Sequence, residues 1–313
     1  MRSSSAHRHW MPYAAICVAI CAYSMAPIFV REITASGQTI ALYRLWIGLP
    51  IMWAITFVSR SRITLALLRR TLVAGALLSV EIQLGFTSFR DTTVANATLI
   101  GSLTPVLLFG VAGRMLGESI TRRKVLWGAL ALAGILVFVL GGANSGRHSW
   151  FGDLMAVGEV FAWTGYFIAT KKLRNEGVPA ISMYTSVVTT ALIFLTPVVL
   201  LTSKDIGAIG GDDWWWLVAM AFVLGVLGHT IFNWAHGHVE ATVSSILSLA
   251  SNVISVVLAW RIFGESLQPI QLVGGAVVLV AVGGLTVQST GERADRPSKI
   301  EADVGLPYEP IDL

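Results

Sequence analysis

The chain has 313 residues, of which 55% are hydrophobic and only 13% charged, with a mean hydropathy of +0.71. Soluble globular chains carry about 25% charged residues, so half of the usual charge is missing, which excludes a water-soluble enzyme, a disordered protein and a nucleic-acid binder. The pI is about 9.3, but the formal net charge is only +4, and the basic residues fall between apolar runs, where they suit a membrane surface better than DNA.

Apolar stretches of roughly 20 residues, the length that crosses a bilayer, recur ten times. They cover 11–31, 38–58, 71–90, 93–116, 124–142, 152–172, 178–201, 214–236, 241–262 and 269–289. The first follows a short basic segment, MRSSSAHRHW, similar to the start of a signal peptide. No small-x-small cleavage site follows it, so it reads as a retained helix. It holds both cysteines, Cys17 and Cys21, at i and i+4 on one face. Two thiols are too few for a zinc site or a disulfide scaffold, and they read as small buried apolar fillers. Between the seventh and eighth stretches, SKDIGAIGGDDWWW ends in a tryptophan cluster that suits a membrane interface. The polar, Pro-containing residues 290–313 read as a disordered tail.

Lys and Arg set the orientation. If the N-terminal residues 1–10 are cytoplasmic, the inside segments hold sixteen of them: before the first span, at 60–70, 114–124 and 171–174, and in the tail. The outside segments hold five: Arg31, Arg90, Arg147, Lys204 and Arg261. This asymmetry predicts an integral plasma-membrane protein with an even number of spans and both termini cytoplasmic.

A self-comparison adds an internal repeat. The segment from Ala95 matches the segment from Thr242 at an offset of 147, so that Gly117-Glu118-Ser119 falls on Gly264-Glu265-Ser266 and Gly128-Ala129 on Gly275-Ala276. Upstream, CAYSMAPIFVR resembles FAWTGYFIATK. Each half, 11–142 and 151–289, then has five spans. An odd number makes the halves face opposite ways, as in secondary transporters built from inverted repeats. The fold expected is an all-α polytopic membrane protein of ten transmembrane helices in two inverted five-helix repeats.

Together with the block Thr104-Pro105-Val106 to Leu116-Gly117-Glu118, which closes the fourth span before a Gly-rich fifth, this pattern resembles the drug/metabolite transporter superfamily, specifically its EamA-type family. Arg44 in ALYRLW is similar to an arginine common in that family's second span, whereas Asn252 stands where the family usually has proline. The resemblance covers about residues 11–289. It implies a central cavity lined by spans one to four and six to nine, with spans five and ten as scaffold. It also implies movement of amino acids or other small metabolites without ATP.

A charge at bilayer depth costs roughly 2.5–3.5 kcal/mol on insertion scales. Arg44, Glu81 and Glu159 are therefore the leading site candidates, at central or outer-half depth in spans two, three and six. Arg44 would clamp a substrate carboxylate, and Glu81 or Glu159 would exchange a proton or bind an ammonium; a buried ion pair fixing helix packing is the alternative for each. Gln83 shares span three with Glu81. Asn96, Asn252 and the i, i+4 pair His229 and Asn233 would add polar contacts, or bond across helices. Trp163, Tyr166 and Tyr184 would supply aromatic walls; Trp163 lies four residues beyond Glu159, a pattern able to hold an ammonium or a flat ring. His236 and His238 read as solvated residues at a span end.

No GxxxxGK[ST], Gly-x-Ser-x-Gly or His-Glu-x-x-His occurs, and no cofactor or metal is expected. The function expected is a secondary active exporter of amino acids or related zwitterions, working by alternating access, with protons as a candidate coupling ion and no nucleic-acid partner. A sugar-phosphate or nucleotide-sugar exchanger is the alternative in the same superfamily, although it would need several basic residues at depth. An intramembrane enzyme, such as a serine paired with His229, is the alternative from another class. Oligomeric state is not legible.

Overall fold

The computed structural model describes residues 3–118, 120–140, 149–263 and 268–294. Among them every regular element is helical and no strand occurs. Ser119, Arg147, the repeat block Gly264-Glu265-Ser266 and the tail beyond 294 lie outside the described residues.

The first predicted span is interrupted. Helix α1 (Ser3–Ser24) stops at Met25, and α2 (Ala26–Glu32) starts anew with Pro27 in its first turn, where the missing N–H is tolerated. Helix α3 (Gly37–Val58) is capped by Ser36, whose hydroxyl accepts from the Thr39 N–H. Helix α4 (Leu65–Asp91) begins six residues before the expected span because Thr64 caps it through the Leu67 N–H. The predicted fourth span is two shorter helices, α5 (Val94–Gly101) and α6 (Thr104–Leu116), again broken just ahead of a proline, Pro105. Gly117 ends α6 in the left-handed conformation, φ 67°.

Helices α7 (Arg122–Leu140), α8 (Trp150–Asn175) and α9 (Ala180–Thr202) follow. The eighth stretch is continuous but irregular. It runs as α10 (Asp213–Met220), a π-helical segment (Ala221–His229) and α11 (Thr230–His236). Helices α12 (Ala241–Phe263) and α13 (Pro269–Ala294) complete the chain, α13 carrying helix five residues into the stretch expected to be a disordered tail.

Among the described residues seven helical segments are long and apolar enough to cross a membrane: Trp10–Glu32, Gly37–Val58, Leu65–Asp91, Ala180–Thr202, Asp213–His236, Ala241–Phe263 and Pro269–Ser289. Of the ten expected spans, the other three are the broken pair α5 and α6, then α7, which opens on Arg122, Arg123 and Lys124, and α8, which carries Asp153, Glu159, Lys171, Lys172 and Arg174. Phe57, Leu201, Trp150 and Val287 point outward and are strongly exposed, an arrangement suited to hydrocarbon surroundings and costly in water. Cys17 and Cys21 also lie on the outer surface. They are not core fillers, because the inward face of α1 is taken by Tyr13, Ile16, Ala19 and Ile20.

The two halves interleave. Helix α4 packs along α8 and α9, α1 along α12 and α11, and α7 along α13. Gly75 permits the close approach of α4 and α9: a methyl group there would meet the Thr190 hydroxyl and stand 2.7 Å from the Ala191 backbone nitrogen. Two apolar cores result, one built around α3, α4 and α9, the other around α1, α11 and α12. Trp163 packs against both, so α8 stands at their junction.

Candidate substrate cavity

Where the irregular helices meet, the bundle holds a cavity of about 160 Å³. The α1–α2 break contributes Tyr23 and Ala26, the α5–α6 break contributes Gly101, Thr104 and Pro105, and the π-helical segment contributes Leu224 and His229. A helix break or a π turn releases backbone carbonyls from the regular ladder. Part of that loss is made good locally. The Thr104 hydroxyl donates to Gly101 O at 2.9 Å, and the Ser255 hydroxyl reaches across from α12 to Ser24 O at 3.0 Å.

Six of the eleven residues singled out in the sequence line this cavity: Arg44, Glu81, Glu159, Trp163, His229 and Asn252. Arg44 is 2% exposed. Its guanidinium lies 5.5 Å from the centre of the Phe86 ring, and its Nε has no hydrogen-bond partner. Glu81 is within electrostatic range of Arg44, yet the two close no ion pair, and Glu81 Oε2 is buried without a partner. Glu159 faces Glu81 across the α4–α8 seam and is in electrostatic range of it. Gly85, one turn beyond Glu81, makes the room: a methyl group there would come 3.2 Å from Glu159 Cγ. One buried cation and two carboxylates thus meet on one cavity, with Arg44 Nε and Glu81 Oε2 unsatisfied, and a buried polar atom without a partner is costly.

Three more of the eleven stand behind the wall. Tyr184 stacks on His229, with ring centres 5.3 Å apart and planes 4° from parallel. Asn233 donates to the Tyr166 hydroxyl at 3.1 Å and to His229 O at 2.8 Å, while the Tyr166 hydroxyl lies 3.5 Å from His229 Nδ1. These contacts hold the imidazole ring in place. Trp163 stacks on Tyr166 and on Phe232, at 5.4 and 6.1 Å, so much of its face is already engaged by protein rings. The remaining two, Gln83 and Asn96, are not among the cavity residues. Gln83 Nε2 donates to Ser79 O within α4 at 3.0 Å, and Asn96 Nδ2 reaches Thr92 and Asp153, both at 3.5 Å.

Several wall residues escaped the sequence reading. Tyr23, whose hydroxyl is buried without a partner, looks like any aromatic in an apolar run. Ser245, Ser248, Ser251 and Ser255 of α12 also line the cavity. Their recurrence every three or four residues in an otherwise apolar span was the available signal.

Polar ties link elements at both ends of the bundle. At one end the link between α2 and α3 is gripped from two sides. Arg90 donates to Ile33 O at 2.6 Å and to Thr34 O at 3.3 Å. Asp213 accepts from the Thr34 N–H and hydroxyl at 3.1 and 2.6 Å, and Asp205 holds Ser36 and Thr39. At the other end the Glu118 carboxylate caps α12, accepting from the N–H groups of Ala241 and Thr242 and from the Thr242 hydroxyl. Lys171 Nζ donates to His236 O and Val239 O, each at 2.6 Å. His236, expected to be solvated, is fully buried between Phe167 and Phe232, with ring centres 4.2 and 4.4 Å away, because α11 is packed against α8 there; His238 is exposed.

The model of the EamA-like transporter family matches residues 10–140 and 150–287. A probable amino-acid metabolite efflux pump of Salmonella typhimurium is 26% identical over 261 residues, covering 79% of this chain and 84% of that protein. The uncharacterized transporter YyaM of Bacillus subtilis is 25% identical over 203 residues, 63% of this chain, and the match spans 66% of its own length. An uncharacterized transporter of Archaeoglobus fulgidus is 23% identical over 275 residues, 86% of this chain and 94% of that one. A solved structure described only as "Crystal structure of protein" superimposes with a TM-score of 0.71 at 20% identity, covering 89% of this chain and 98% of that chain, a likeness of fold.

Proposed function

We propose that this chain, which belongs to the EamA-like transporter family, is a secondary active exporter of amino acids or related zwitterions. The observation that carries this reading is the meeting of Arg44, Glu81 and Glu159, unpaired, in a cavity between interrupted helices. Broken helices around buried charge are how membrane transporters build a solute site at the bilayer midplane. Arg44 receives the solute carboxylate and Glu81 or Glu159 its ammonium, while His229, Asn252 and Trp163 complete the walls. Tyr166, Tyr184 and Asn233 position His229. Gln83 and Asn96 have at most an indirect part.

The cavity's size supports a small solute, since about 150 Å³ holds a single benzene-sized molecule. The sugar-phosphate alternative fares worse, because one arginine faces two carboxylates and a phosphate dianion needs the opposite balance. Family membership and the relatives' names speak for transport and against enzymic chemistry. The Salmonella relative's name supports the outward direction.

In this reading the protein sits in the cell membrane with both termini cytoplasmic. The two stretches matched by the family model are two inverted five-helix repeats, and ten helices cross the bilayer, with α5 and α6 together forming one crossing. Access alternates as the ties at either end of the bundle open in turn, and a proton carried by Glu81 or Glu159 drives the cycle. Purified protein in proteoliposomes, given a panel of radiolabelled amino acids with and without a pH gradient, tests the reading. Gradient-dependent flux of at least one of them is expected. Absence of flux for the whole panel overturns it, and tags on the two termini that label from opposite faces overturn the topology.

A further inference from the structure

Six serine and threonine hydroxyls of the cavity share a property that narrows the solute. Each of the six donates its only proton to a backbone carbonyl. Ser88 donates to Gly85 O (2.8 Å), Thr104 to Gly101 O (2.9 Å), Ser245 to Thr242 O (2.9 Å), Ser248 to Ser244 O (2.8 Å), Ser251 to Ser248 O (2.6 Å) and Ser255 to Ser24 O (3.0 Å). Asn252 likewise spends an N–H on Thr98 O at 3.1 Å. A hydroxyl whose proton is engaged has only lone pairs left to offer. Beside the donors of Arg44 and Tyr23, these residues present acceptors: hydroxyl oxygens, the Asn252 carbonyl oxygen and two carboxylates. The serines of α12 run from 245 to 255, about 15 Å at 1.5 Å per residue.

Hydroxyls along one helix would not make a site alone. The independent sign of a ligand is Arg44, 98% buried and lining the same cavity with Nε unpartnered, together with the unpartnered Glu81 Oε2. Arg44 matches one carboxylate of a solute. A zwitterion with a single ammonium then leaves one of Glu81 and Glu159 without a counter-charge, in a place where an unpaired buried charge is expensive. A second ammonium supplies it, and each ammonium brings three N–H donors to a wall of acceptors.

We propose that the preferred solute is a monocarboxylate bearing two ammonium groups, with its carboxylate on Arg44, its ammonium groups on Glu81 and Glu159, and its remaining N–H donors along the α12 serines. This rests on the transporter reading above and narrows its substrate class.

The test uses the full chain in proteoliposomes and four probes: lysine, norleucine (the same side-chain length without the distal ammonium), cadaverine (both amines without the carboxylate) and alanine. Counterflow of radiolabelled lysine is expected, with norleucine, cadaverine and alanine each competing at least tenfold more weakly than unlabelled lysine. Glu159→Gln should bring the ratio of lysine to norleucine toward one. The comparison of probes on the unaltered protein stands even where that variant fails to fold. Norleucine or alanine moving as well as lysine overturns the diamino preference and leaves the transporter reading intact. Cadaverine outcompeting lysine overturns the role given to Arg44 and makes the solute a free polyamine. No counterflow with any probe or any other amino acid overturns both readings.

Discussion

Asp205 is the most heavily bonded group in the tie between the α9–α10 loop and the start of α3. Its carboxylate accepts from the Ser36 N–H at 2.5 Å, the Ser36 hydroxyl at 2.8 Å, the Thr39 hydroxyl at 2.5 Å and the Ser203 hydroxyl at 2.7 Å. It also places a negative charge at the N-terminus of α3, where the helix dipole favours one. A hydrogen bond to a charged group contributes about 1.5–3 kcal/mol net. The loop is half-exposed, and water replaces part of what is lost. Asp205→Ala is therefore expected to destabilise by about 2–3 kcal/mol, and Asp205→Asn, which keeps one acceptor oxygen, by about half as much.

The same carboxylate gives an acid signature. Burial opposes its ionisation, but the hydrogen bonds from Ser203, Thr39 and Ser36 outweigh that and hold it well below the usual carboxylate range. A group bound more weakly to its proton when folded stabilises the fold above its unfolded pKa, about 3.9 for aspartate, and the contribution fades as pH falls below that value. Unfolding of the detergent-solubilised protein, followed by tryptophan fluorescence at pH 7 and pH 3, should show the unaltered chain losing more stability on acidification than Asp205→Ala does. A loss under about 0.5 kcal/mol for Asp205→Ala at pH 7, the scale of a neutral surface change, or equal acid sensitivity of the two proteins, refutes the reasoning.

Other substitutions follow from other contacts. Glu81→Gln should abolish proteoliposome transport or flatten its pH profile while the protein still elutes as a monodisperse species; unchanged pH-dependent flux removes Glu81 from the proton step. Gly75→Ala should cost about 1–3 kcal/mol, the range for overpacking a close seam, because the Ala191 backbone cannot yield as a side chain can; an unchanged melting temperature refutes this. Replacing Cys17 and Cys21 together by Ser should move stability by less than about 0.5 kcal/mol, since both lie on the outer surface of α1; a large loss by the same fluorescence assay means that this face is covered.

Part of the site was legible in the chain because burying charge in an apolar span is costly and therefore rare. That rule brought out Arg44, Glu81 and Glu159, and the structure places all three on one cavity. It served less well for amides. Gln83 and Asn96 are as polar as Asn252, but they find partners on their own helix or beside it. Spacing also misled at His236, where proximity to a span end suggested water and packing against α8 removed it.

Composition and apolar periodicity settle that this is a helical membrane protein, because lipid admits few charges and requires each backbone group to find a partner within its own helix or a closed barrel. The doubled motif around Gly117 and Glu118 marks the family in the same one-dimensional way. Tertiary packing alone decides which helix breaks meet around one cavity, which face of α8 meets both cores, and that the Ser255 hydroxyl of α12 spends its proton on a carbonyl of α1. Those outcomes depend on contacts between residues as much as 231 positions apart, such as Ser255 with Ser24, and no local pattern of residue types encodes the distance at which two such groups come to rest.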